Sequence, residues 1–361
     1  MTEPTHSVVT PVFSVAGEVV GALARDCVRL EVEEGTEGLR TLQAQFLAVG
    51  AGATGPPEPM LHLDGSTLDF GKAIEVCVGP DSAQRIVFEG VVSAIEAVFD
   101  DGEPPRVVLH AEDAFMRLRM TRRMRTYRNI TDGAIAQEIA AEHGLQADVT
   151  VDGPPYEVVQ QVNQSDLAFL RERARLVQAE LWCTGRTLHM SSRPRRRGTA
   201  LTLVQGTQLL SARVCADLAH QRSEVAVTGY DARSQAVIDE RAGPDAVDAE
   251  IAGGRTGARV VEKALGASVT LRVREAALTS QEAAAWARAE MLRRSRRFVT
   301  VTGTTRGTPD MVVGSLLTLV RVGPPFEGAG YYVTRVRHTF DHEHGLRTRF
   351  EAERATVNEV A

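Results

Sequence analysis

Residues 91–114 and 332–355 of this 361-residue sequence can be laid over each other at a constant offset of 241. Seven of the twenty-four positions are identical: Val92/Val333, Phe99/Phe340, Asp100/Asp341, Arg106/Arg347, Ala111/Ala352, Glu112/Glu353 and Ala114/Ala355. Ordinary composition gives roughly one or two identities at a random offset. The pattern constrains more than the identities do. Val91, Ser93, Ile95, Ala97 and Phe99 form one mostly apolar face, and their counterparts are Tyr332, Thr334, Val336, His338 and Phe340. A one-residue slip would turn every side chain of a strand to the other face. The shared parity therefore predicts two related antiparallel hairpins, each closing a similar β-domain.

The rest of the chain fits around those hairpins. Apolar runs at 11–22, 27–33, 39–48, 72–78, 86–99 and 105–112, separated by Gly, Pro and Asp clusters, predict strands. Residues 116–198 change character. Thr131 or Asp132 can cap a helix ended by Gly144, and Ser165 or Asp166 can cap a second. In that second helix Leu167, Leu170, Ala174 and Val177 make one buried stripe. A hairpin turning at Gly185 follows. Strands resume at 200–204, 208–216, 223–231, 235–240, 298–304, 312–321, 331–340 and 346–354. The Gly/Ala/Asp-rich stretch 242–258 reads as a loop or insertion. Thr279 and Glu282 form a capping box for one inserted helix, about 279–295. Its Trp286 is expected either to plug one end of the second β-domain or to face a neighbouring subunit. The expected divisions are 1–115, 116–198 and 199–361.

Charge and motifs narrow the function. Lys and Arg number 41 against 47 Asp and Glu, a net charge of −6. Phosphate affinity needs a basic surface, so sequence-specific nucleic-acid binding is not expected. No stretch has the length of a membrane-spanning helix, so no membrane insertion is expected. Met1 to Glu18 lacks a basic start followed by an apolar run, which predicts folding in a cytoplasm. Cys27, Cys77, Cys183 and Cys215 show no zinc spacing and read as buried free thiols. Gly50 to Gly55 fits a dinucleotide pattern, but Pro56, Pro57 and Pro59 deny it the helix that would hold a pyrophosphate. Asp69-Phe70-Gly71 has no kinase partner motifs. Asp341-His342-Glu343-His344 reads as a solvated turn. No catalytic, metal or cofactor residue is expected. Three arginine clusters remain, at 117–128, 193–197 and 293–297. Arg195, Arg196 and Arg197 lie in the loop expected to be most exposed and are the candidate partner-binding residues. The acidic stretch Glu31–Glu37 could complement such a patch on a neighbouring subunit.

Several motifs then fall into a known order. Tyr127-Arg128-Asn129-Ile130-Thr131-Asp132 leads into Asn163-Gln164-Ser165-Asp166-Leu167-Ala168-Phe169-Leu170-Arg171-Glu172-Arg173-Ala174, followed by Glu180-Leu181-Trp182. Near the end come Gly314-Ser315, Phe326-Glu327-Gly328, Tyr332-Val333-Thr334-Arg335-Val336, His338, Gly345-Leu346-Arg347-Thr348 and Glu351-Ala352-Glu353-Arg354. In these the chain resembles the phage late control protein D family. That family includes baseplate hubs of contractile phage tails, the N-terminal part of VgrG spikes and hubs of extracellular contractile injection systems.

The resemblance implies a mainly β fold with an α+β insertion: two tube-like antiparallel β-barrel domains and a small helical α/β middle domain. It also implies a homotrimeric baseplate hub with a pseudo-sixfold ring, joining the inner tube to the spike, without enzymatic activity or cofactor. The expected partners are two further copies, a separate spike protein, an inner-tube or tube-initiator protein and other baseplate components. Assembly is expected in a bacterial cytoplasm, into a phage tail or injection particle. The VgrG type continues into an oligosaccharide-binding fold and a needle, whereas this sequence stops six residues after Ala355. Two other readings stand beside the hub: a carbohydrate- or receptor-binding β-protein of a tail-like particle, and a cell-wall hydrolase, which needs a paired acid and base.

Overall fold

Across the first hairpin Val91 faces Glu112, Val92 faces Ala111 and Ala94 faces His110. Across the second, Tyr332 faces Glu353, Val333 faces Ala352 and Arg335 faces Glu351. The two registers keep the sequence offset, and they share a bulge, with Ser93 and Thr334 as the extra residues. These contacts come from a computed structural model, which describes residues 10–51, 57–79, 84–266, 269–273 and 276–359. Residues 52–56, most of the glycine-rich pattern, fall outside that set.

A bulge resets the alternation of a strand. The expected single face is therefore corrected: Val92 and Val333 turn inward in place of Val91 and Tyr332, and the parity of Ile95 and Val336 continues from there. In the second hairpin His338 and Phe340 are buried on this face. In the first, Phe99 at the matching place is 67% exposed.

The first half supplies β1 (Val12–Val15), β2 (Cys27–Gly35), β3 (Thr41–Leu47), β4 (Ala73–Val78), β5 (Arg85–Val98) and β6 (Arg106–Glu112). The middle supplies β7 (Arg122–Ile130), α1 (Asp132–Glu142), β8 (Gln146–Thr150), β9 (Tyr156–Ser165), α2 (Asp166–Val177), β10 (Ala179–Thr184) and β11 (Thr187–Ser192). The rest supplies β12 (Ala200–Val204), β13 (Leu209–Ala216), β14 (Glu224–Asp231), β15 (Ala236–Ala242), α3 (Gly257–Leu265), α4 (Ser280–Arg296), β16 (Val299–Arg306), β17 (Leu316–Val320), β18 (Gly328–Asp341) and β19 (Gly345–Arg354). Strand makes up 48% of the chain against 21% helix, so the fold is mainly β.

The duplication reaches strands whose sequences do not reveal it. Leu42 on β3 lies opposite Ala111, as Val301 on β16 lies opposite Ala352. Val32 on β2 lies opposite Leu42, as Val214 on β13 lies opposite Val301. A second bulge recurs as well, with Val28 in one half and Leu210 in the other as the extra residue. At the edge, Val92 donates its N–H to the Lys72 carbonyl, and Val333 to that of Ser315, each at 2.9 Å. Gly71 and Gly314 donate back at 2.9 Å, both in the left-handed region at φ +76° and +94°, where a side chain would be strained.

Each half is thus one four-stranded unit: β2, β3, β6 and β5, or β13, β16, β19 and β18. β18 pairs antiparallel with β2, joining the units into one thirteen-stranded sheet. The halves differ outside these units. β1 runs antiparallel to β4, while β12 runs parallel to β17. A short loop joins β2 to β3, whereas 217–298 intervene between β13 and β16.

The middle region has its own core, centred on Ile135, Ile139, Phe169 and Leu170. The caps form as read: Thr131 Oγ1 accepts from the Ala134 N–H, and Ser165 Oγ from that of Ala168. The antiparallel ribbon of β7 and β9 was not anticipated. Nor was α3, which begins on the last two residues of the expected loop and runs seven residues beyond it. In the 217–298 insertion, α4 lies over β14 and β15 and touches α2. Trp286 packs against the cores of both the insertion and the middle region. Its role within the chain is therefore a seam, which corrects the expectation of a plug. No helix among the described residues is long and apolar enough to cross a membrane.

Candidate subunit interface

The arginine run at 193–197 divides. Arg195 and Arg197 are exposed, whereas Arg196 is 6% exposed. Its expected exposure is therefore corrected. Carboxylates from two other elements converge on it. Arg196 Nη2 donates to Glu34 Oε1 on β2 at 2.5 Å, and Nη1 to Glu180 Oε2 on β10 at 3.4 Å. Its guanidinium lies over the Trp182 ring, 4.7 Å from the centroid. Arg193 donates from Nε to Glu180 Oε1 at 3.2 Å and lies 2.7 Å from Glu353 Oε1 on β19. It also lies 4.1 Å over the Tyr332 ring, and the Tyr332 hydroxyl donates to Glu180 at 2.7 Å. Burial opposes the charge on Arg193, but Glu353 and Glu180 hold its guanidinium above the ordinary arginine value. Burial, then the Glu180 charge, pushes the Tyr332 phenol well up. This network ties the middle region to both β-halves.

The acidic stretch is likewise engaged within the chain. Glu34 accepts from Arg40 Nε at 3.0 Å. Glu33 accepts from Arg335 at 2.8 Å and also pairs with Arg337, which lies 3.4 Å from Glu31. The expected complement to a neighbouring subunit is therefore corrected for these carboxylates. Glu31 and Glu33 lock β2 to β18. The other arginine clusters are largely paired too: Arg123 with Asp166, Arg125 with Glu142, Arg294 with Glu290 and Arg296 with Glu250. Asp341 to His344 forms the exposed turn of the second hairpin, where Asp341 accepts from the His344 N–H at 2.6 Å. Cys27 and Cys183 are buried thiols, Cys77 is half-buried, and Cys215 is exposed, contrary to expectation.

Two buried groups near this network titrate in opposite senses. Burial, reinforced by the positive charge of Arg40, pushes His338 down to about 4. Burial pushes Asp113 up to about 6, against the N–H donors of Arg40 and Phe115. Neutral His338 adds stability that is present above its unfolded value, near 6.5, and is lost as pH falls towards 4. Asp113 does the reverse: its contribution is present below about 4 and is lost as pH rises through 6. A His338→Gln variant isolates the first term. Its stability deficit against wild type is expected to shrink by roughly 3 kcal/mol between pH 7 and pH 4, measured by urea unfolding. A constant deficit would place the histidine in water.

The interface candidates are the two ends of the eight-stranded run. β5 pairs with β4 only through Val91, with Val92 bonded just beyond it, so the edge from Ser93 onward carries no strand among the described residues. β13 pairs with β16 on one side only. Neither edge was singled out by the sequence reading. Exposed Phe99 at one edge and Leu210 on β13 are local signs, and they need the fold to be seen.

The sequence model of one family, described as the Alg8 N-terminal domain, matches residues 62–342. The chain belongs to the Alg8 N-terminal domain family. No curated protein matches the chain by sequence. Among solved structures, this family member is similar to the 43 kDa tail protein of prophage MuSo2 from Shewanella oneidensis. The identity is 15% and the TM-score 0.67, over 96% of this chain and 98% of that one. It is also similar to the tail protein from Neisseria meningitidis MC58, at 12% identity and TM-score 0.62 over 96% of each chain. A third is the E. coli c3393 protein, described as a type VI secretion component structurally similar to the T4 tail proteins gp27 and gp5. There the identity is 13% and the TM-score 0.57, over 93% of this chain and 76% of that one. The Alg8 N-terminal domain chain thus has the fold of phage tail proteins.

Proposed function

We propose that this chain is a baseplate hub of the late control protein D type, in a phage tail or contractile injection particle, acting by assembly and not by catalysis. Three copies form a ring of six similar β-halves. One rim presents pseudo-sixfold symmetry to an inner-tube or tube-initiator protein, and the other presents threefold symmetry to a separate spike protein. Other baseplate components bind outside, and assembly takes place in a bacterial cytoplasm. The boundaries near 115 and 198 separate the two ring-forming domains from the middle domain.

The observation that carries this reading is the four-stranded unit repeated down to both bulges. A heterologous contact that closes generates a ring, and a chain holding two like units doubles the apparent symmetry of that ring. Likeness in fold to tail proteins supports the same reading. The test is native mass, alone and with candidate tube and spike proteins. A species of three 39.1 kDa chains is expected. A monomer under all these conditions would contradict the hub.

A further inference from the structure

The joint between the two β-units within the chain can be transferred, residue for residue, to the two outer edges. This inference rests on the ring reading above and specifies its joint. Within one chain, β18 of the second unit pairs with β2 of the first: Arg335 faces Gly35, Arg337 faces Glu33, His338 faces Val32, Thr339 faces Glu31 and Phe340 faces Leu30. The duplicate of β18 is β5, and the duplicate of β2 is β13, each fixed by matched registers and a matched bulge. Both duplicates have their corresponding edges free among the described residues. We propose that residues 94–100 of one copy pair antiparallel with β13 of the next, in the register transferred from the β18–β2 joint.

That register sets Ile95 opposite Ala216, Ala97 opposite Val214 and Phe99 opposite Ala212. On the other face it sets Glu96 opposite Cys215 and Val98 opposite Arg213. Three observations favour it. The inward positions are apolar on both strands, and a one-residue slip would set them against Asp217, Cys215 and Arg213. Phe99, at 67% exposure, gains the cover that its duplicate Phe340 already has beside Leu30. The charges also fit, with their signs exchanged. In the internal joint Arg337 lies diagonally across from Glu31, at 3.4 Å. In the transferred joint Glu96 takes the place of Arg337, and Arg213 that of Glu31. Arg213 is exposed and has no ion pair among the described residues, while Glu96 is half-exposed and touches His110 at 2.7 Å. Free strand edges with matching side chains are a ready template for another chain. The partner is a second copy of this chain, bound head to tail.

The native exposed thiol of Cys215 makes the register testable with one substitution. Glu96→Cys places a thiol directly opposite it, at the separation of facing residues in a sheet. Mild oxidation with diamide is expected to convert the trimer into a covalent trimer on a denaturing gel. Adding Cys215→Ser should abolish the product, and Ala94→Cys should give only a small fraction of it. Independently, Glu96→Arg should raise the concentration for half-assembly about tenfold, and adding Arg213→Glu should restore it. A trimer in which the new thiol stays unlinked, or links elsewhere, would overturn this joint and leave the hub reading standing. Absence of any trimer, even with tube and spike proteins, would overturn both.

Discussion

Glu180→Ala is expected to lower the unfolding free energy by about 3–5 kcal/mol, the usual range for removing one partner of a buried charge cluster. Glu180 is 4% exposed and receives bonds from Arg193, Arg196 and the Tyr332 hydroxyl. Its loss leaves two largely buried guanidinium groups short of charge, and strands a buried phenol. Glu34 and Glu353 still hold one arginine each, so the fold should survive. Glu180→Gln keeps an acceptor for Tyr332 but not the charge, and should fall between. Arg195→Ala and Arg197→Ala serve as controls. Both residues are exposed, and each change should stay within about 0.5 kcal/mol. Urea midpoints measure all four variants. Equal effects at Glu180, Arg195 and Arg197 would mean that the cluster is solvated. The consequence for function is mechanical: the network is the only place described above where one set of ion pairs ties the middle region to both β-halves.

Phe46→Ala should cost a similar amount, about 3–5 kcal/mol, by opening a cavity in the first half. Phe46 is fully buried, and its ring meets Phe13 edge-on at 5.2 Å. The matching position in the second half is Thr305, whose hydroxyl bonds Thr308 and the Thr348 carbonyl. One place in the repeated unit is thus filled by packing in one half and by hydrogen bonds in the other. Phe46→Thr should therefore not rescue stability, because the first half lacks those partners. Hydrogen exchange should accelerate across 27–47 and 73–112 and much less across 299–354. Uniform acceleration would show that the halves unfold as one unit and not as two coupled ones.

The hairpins were legible because seven identities survive on strands of conserved register. The bulges were not. Val91 and Val92 are both apolar, so either parity satisfies the pattern until the pairing is seen. The correspondence of β2 with β13 and of β3 with β16 left almost no trace in sequence, since a buried strand position asks only for apolar or small side chains. Leu42/Val301 and Ala44/Gly303 meet that requirement without identity. The 217–298 insertion also breaks the spacing. The β7–β9 ribbon escaped because Arg122 to Arg128 offers no apolar alternation. The helix at 257–265 escaped although its signals were present: Thr256 caps it, and Gly266 ends it at positive φ. Arg196 looked solvated because a run of arginines says nothing of the carboxylates that tertiary structure brings to it.

In the proposed ring each chain supplies two equivalent arcs of one closed sheet. Electron cryomicroscopy of the purified trimer tests it most directly. Six similar four-stranded arcs around one axis are expected, with strands continuous through the joints between copies as well as through the β18–β2 joint within each. A trimer held together through its middle regions, with the β5 and β13 edges left open to solvent, would contradict it.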